Sequence, residues 1–108
     1  MKERVNEMTT FDFGKGPVPA HQHPNGGGWV ADTATVSETA YVGPNAVVSG
    51  NARVSGCAVV YDNAMVSGNA MVSGYAVVSG YAVVTGDAEV SGNAKVYGNA
   101  WVSGNARV

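Results

Sequence analysis

Val66-Ser67-Gly68-Asn69-Ala70-Met71-Val72 decides the fold, because the same hexad recurs with almost no change along most of the chain. Valine returns every six residues from Val30 to Val108, and an alanine stands two residues before each valine from Val36 onward. Only the first hexad departs, with Gly28 in the alanine place. An internal repeat of fixed period outranks local propensity in assigning a fold. A helical period of 3.6 does not match six, whereas strand alternation does within each hexad. In Ala-x-Val-Ser the Ala and Val point one way and the x and Ser the other. The Gly-Asn pair then makes a corner, since both residue types tolerate positive φ. Short strands joined by identical bends build a solenoid, each coil hydrogen-bonded to the next about 4.8 Å away.

Val42-Gly43-Pro44-Asn45-Ala46-Val47 and the Val-Ser-Gly-Asn-Ala units that follow resemble the hexapeptide-repeat family. The resemblance covers Gly28 to Val108, about three quarters of the chain. It implies an all-β fold: a left-handed, three-sided parallel β-helix with three hexads per coil. The left hand rests on the resemblance alone, because the usual rule for parallel crossovers favours the right. Val30 to Val108 then makes a little over four coils, roughly 20 Å of stacked strands. Residues 1–27 form an N-terminal cap or lead-in segment, and residues 28–108 form the repeat. Phe11, Phe13 and Val18 are the apolar side chains expected to fold over the first coil. Pro17, Pro19, Pro24 and the run Gly26-Gly27-Gly28 oppose a regular helix there.

The 108 residues make one domain by length. Leucine and isoleucine are absent, so valine and alanine carry a narrow, uniform core. The glycines, 15 in all, are phased with the valines, unlike those of a disordered linker. A formal charge of −2 leaves no electrostatic footprint for nucleic acid. No apolar run reaches the ~20 residues of a membrane helix. Met1-Lys2-Glu3-Arg4 leads into no signal-peptide core, so the expected location is the cytoplasm, or a virion if the chain is phage-encoded. Cys57 is the only cysteine. It forms no internal disulfide and reads as a small residue replacing Asn at a corner.

With three hexads per coil, outward residues eighteen apart stack on one face. One face carries Trp29, Val47, Met65, Val83 and Trp101, all apolar. A second carries Thr35, Arg53, Met71, Glu89 and Arg107. The third carries Tyr41, Val59, Val77 and Lys95, with Tyr61 and Tyr97 at the neighbouring outward position. A continuous exposed apolar strip marks an interaction site, and its aromatic ends suit an interface hot spot. The expected state is therefore a homo-oligomer. Members of the resembled family associate as trimers with parallel axes. End-to-end pairing at the C-terminal coil is the other arrangement, because Val108 stops inside a repeat and leaves a strand edge open. A protein partner fits the same surfaces.

Catalysis is the rival reading. The family includes acyltransferases that use acetyl- or acyl-coenzyme A, with a catalytic His on the solenoid and a loop protruding from a coil. Here the repeat holds neither a His nor an inserted loop, so such a site would have to form between subunits with His21 or His23. His21-Gln22-His23 places two metal-ligand types on one side of a strand, and the family's zinc carbonic anhydrases use three His on the solenoid. A flexible or capping role fits this pair better, and no cofactor is expected. Gly26-Gly27-Gly28 lacks the Lys-Ser/Thr ending of a P-loop. The stacked Ser37, Ser55, Ser73 and Ser91 have no base partner. His23-Pro24-Asn25-Gly26-Gly27-Gly28-Trp29-Val30 is similar to the lead-in of bacterial and phage-encoded hexapeptide-repeat proteins. The expected function is thus a non-catalytic β-solenoid for self-assembly or protein binding, structural or inhibitory in a phage setting.

Overall fold

A hexad leaves room for only two residues of extended chain before it must bend, and this sets the architecture. The computed structural model describes residues 10–13 and 16–108. The reading of Met1-Lys2-Glu3-Arg4 lies outside the described residues. Numbered along the chain, the first two strands are β1 (Thr10–Asp12) and β2 (Pro17–Gln22). The solenoid follows with β3 (Trp29–Ala31), β4 (Thr35–Val36), β5 (Tyr41–Val42), β6 (Val47–Val48), β7 (Arg53–Val54), β8 (Val59–Val60) and β9 (Met65–Val66). It continues with β10 (Met71–Val72), β11 (Val77–Val78), β12 (Val83–Val84), β13 (Glu89–Val90), β14 (Lys95–Val96) and β15 (Trp101–Val102). Every third solenoid strand pairs in parallel, giving three sheets: β3-β6-β9-β12-β15, β4-β7-β10-β13 and β5-β8-β11-β14. The result is an all-β, three-sided parallel β-solenoid of about four turns. No helix occurs among the described residues.

Register follows from the period. Met65 pairs with Val83, Met71 with Glu89 and Val77 with Lys95, each eighteen residues on. Each coil is tied to the next by repeated main-chain bonds. The Met65 N–H donates to Ala82 at 3.0 Å, that of Ser67 to Val84 at 2.8 Å, and that of Asn69 to Gly86 at 2.8 Å. The inward alanine and valine of each hexad, from Ala40 to Val90, are 0% exposed. Burying each valine contributes about 1.5 kcal/mol or more. The bore holds one Ala and one Val per hexad, which is why larger aliphatic residues have no place in it.

The corners divide the two permissive residues of the Gly-Asn pair: among the described residues positive φ falls only on glycines and on Asp62. Ser67-Gly68-Asn69-Ala70 closes with the Ala70 N–H on the Ser67 carbonyl at 3.3 Å. With positive φ only at its second residue, this is the pattern of a type II′ turn. Gly68 is needed for space as well. A Cβ there would lie 2.8 Å from the backbone N of Gly86 in the coil below.

The lead-in does more than fold over the first coil. β1 and β2 form an antiparallel hairpin, and β2 pairs antiparallel with β3, so the hairpin extends one sheet at its N-terminal edge. On a second side, side chains replace a missing coil. In lower coils an alanine carbonyl receives a backbone N–H from above, as Ala58 does from Tyr41. The equivalent Ala40 carbonyl receives Nε2 of His23 at 2.8 Å and Nδ2 of Asn25 at 3.1 Å. The Val42 N–H donates to the Asn25 carbonyl, and the Gly28 N–H donates to Val42. Gly28 departs from the alanine rule because a Cβ there would come 2.3 Å from the carbonyl oxygen of Gly43.

Candidate interaction surface

The pairing stacks Trp29, Val47, Met65, Val83 and Trp101 in one column. Their exposure is uneven, which narrows the continuous strip expected from spacing. Trp29, Val47, Met65 and Val83 are half-buried, while Trp101 is 71% exposed. The chain itself covers the N-terminal end. The Phe11 ring stacks on Trp29 at 4.9 Å and 19°, and Phe13 lies 4.8 Å from Phe11 at 60°. Phe13 and Val18 also overhang Met65, enclosing a groove of about 410 Å³ whose far wall is the hydroxyl column of Ser49, Ser67 and Thr85. Stacked and tilted aromatic pairs add about 0.5–1.5 kcal/mol each beyond area burial, so this cover is held rather than loose.

Tyr41, Val59 and Val77 stack above Lys95 on the third face, all three half-buried. The second face runs Thr35, Arg53, Met71, Glu89, with Arg107 bridged beneath Glu89. Val108 is exposed, and its N–H donates to the Glu89 carbonyl at 2.8 Å. Two exposed aromatics escaped the sequence reading of faces, Tyr75 (69%) and Tyr81 (65%), both at the corner position usually held by Asn. Their departure from the consensus at a fixed phase was the available signal. Tyr81 sits at the corner between β11 and β12. Tyr97, exposed to 69%, and Trp101 flank the same corner one coil further on. Three exposed aromatic rings therefore gather at one edge of the C-terminal half.

The two histidines have separate partners. His23 is 4% exposed and serves the Ala40 carbonyl. His21 is exposed and pairs through Nδ1 with Asp32 at 2.8 Å. Among the described residues no three His, Cys, Asp or Glu side chains gather where a metal ion could be held. Cys57 is exposed at its corner. The hydroxyls of Ser37 and Thr39 both reach the Gly56 carbonyl, acting as corner ties.

A family model described as the YdcK beta solenoid repeat matches residues 46–62, 66–80 and 88–104. These three stretches lie wholly within the coils and together make somewhat under half of the chain. No curated protein and no solved structure matches it.

Proposed function

We propose that this chain is a non-catalytic module of the hexapeptide-repeat kind, and that copies of it associate through the aromatic edge formed by Tyr81, Tyr97 and Trp101. The observation that carries this reading is the gathering of three rings, exposed to 65%, 69% and 71%, around one corner of successive coils, whereas Tyr75, equally exposed at 69%, stands at another corner. A large apolar cluster left to water marks an interaction surface, and Trp and Tyr dominate interface energetics. The cover that Phe11 places on Trp29 supports contact through the C-terminal coils over a trimer packed along the whole strip. A protein partner that recognises the flat faces would use the same edge.

Sedimentation equilibrium over a wide concentration range tests it. The wild-type chain is expected to associate, and Tyr97→Ser with Trp101→Lys to be monomeric with an unchanged far-UV spectrum. Both side chains project into solvent, so their replacement leaves the core intact. A wild-type chain that is monomeric at all concentrations, or a double variant that associates equally well, overturns the proposal.

A further inference from the structure

A second feature lies at the other end of the solenoid and is independent of self-association. From the second coil downward every corner places Gly at the second turn position except one, which places Asp62. Asp62 holds φ at 59°, a conformation that costs most side chains energy. The residue before it is Tyr61 where the repeat favours Ser, and directly above them stand Gly43 and Pro44. These departures surround a cavity of about 210 Å³ lined by Tyr41, Pro44, Asn45, Tyr61 and Asp62.

The cavity walls are held in place. Tyr61 tucks beneath Gly43, where an added Cβ would lie 3.1 Å from its own Cβ. The Tyr41 ring lies between Gly26 and Gly43: a Cβ on Gly26 would crowd it at 3.0 Å, and one on Gly43 would meet it at an ordinary contact distance of 3.5 Å. Oδ2 of Asp62 accepts the Gly80 N–H at 3.2 Å, which fixes the carboxylate. Among the described residues no cation pairs with Asp62; the ion pairs formed are His21 with Asp32 and Arg107 with Glu89. The site thus combines an uncompensated negative charge, two phenol rings and a proline ring. Asp62 is exposed to solvent, so a neutral sugar would use the rings but gain nothing from its charge. An organic cation uses both, through attraction to the aromatic quadrupole and to the carboxylate.

We infer that this cavity binds a methylated or quaternary ammonium group, with Tyr41 and Tyr61 as the aromatic walls and Asp62 as the counter-charge. The small volume suits an ammonium head group and is below that of sites for drug-sized ligands.

The test is a titration of the full chain with choline chloride at constant ionic strength, followed by NMR of the Tyr41 and Tyr61 rings and the Gly80 amide. The comparison variant is Tyr61→Ser with Asp62→Gly, which restores the consensus corner and so keeps the coil folded, as its melting curve verifies. Saturable shifts are expected in the wild type, with binding weaker by about tenfold or more in the variant. The neutral isostere 3,3-dimethyl-1-butanol is expected to leave the signals unmoved. Absence of saturable shifts, equal binding by the variant, or equal binding of the isostere overturns the inference. Choline binding is expected to survive Trp101→Lys, which separates this site from the association edge.

Discussion

Replacing Gly68 and Gly98 by alanine, one at a time, separates two reasons for a glycine at the corner. Both have nearly the same backbone, φ +66 and φ +67. Holding a residue with a Cβ there costs about 1–2 kcal/mol. Their surroundings differ. A Cβ at Gly68 would meet Gly86 at 2.8 Å from N, 3.1 Å from O and 3.3 Å from Cα, whereas a Cβ at Gly98 meets nothing within 4 Å. The Gly68 clash cannot relax cheaply, because the 2.8 Å bond from Asn69 N–H to the Gly86 carbonyl holds the two coils together. Overpacking of this kind adds about 1–3 kcal/mol. Gly98→Ala is therefore expected to cost about 1–2 kcal/mol and Gly68→Ala about 2–5 kcal/mol. Urea unfolding followed by far-UV circular dichroism reads the difference directly, through the midpoint at constant slope. If the two variants unfold at the same urea concentration, the spacing between coils is not what demands glycine, and φ alone explains the repeat.

Two further outcomes follow from the core and the cap. Val66→Asp places a carboxylate in a site that is 0% exposed with no partner, and is expected to abolish the cooperative melting transition; native-like melting would show that the register is wrong. His23→Ala removes one of two donors to the Ala40 carbonyl and is expected to cost about 1–3 kcal/mol, whereas His21→Ala, which breaks an exposed pair, is expected to cost under about 1 kcal/mol; equal losses in thermal melts would contradict the capping role of His23.

The solenoid could be read from the sequence because its cause is periodic. Each valine repeats the same local instruction, so one correct reading of a hexad places Trp29 above Val47 and Met71 above Glu89. The lead-in carried no such signal. Pro17 and Pro19 argued against a helix, yet nothing in the order of residues showed that Pro17–Gln22 would pair antiparallel with both Thr10–Asp12 and Trp29–Ala31. The burial of His23 was equally hidden, since its role depends on a carbonyl seventeen residues away that lacks a coil above it. At the corners Gly-Asn announces a bend, but the residue types alone do not say which of the two takes the positive φ. Glycine takes the positive φ, and Asn69 contributes its backbone N–H to the coil below. The exposed strip was overstated for a related reason: periodicity gives direction but not cover, and Phe11 supplies the cover at Trp29.

The eighteen-residue register also decides which length changes this chain can absorb. Insertion or loss of a whole coil leaves every column in phase, so such a change alters only the length of the rod. Loss of a single hexad, for instance residues 69–74, preserves the valine ladder and the fold but turns everything downstream by one face. Met65 would then stand above Glu89 instead of Val83, and Trp101 would move to a different side from Trp29. Folding tolerates steps of six, whereas the pattern written on the outside tolerates only steps of eighteen. Recombination within the repeat can therefore yield well-folded rods whose surfaces have been permuted.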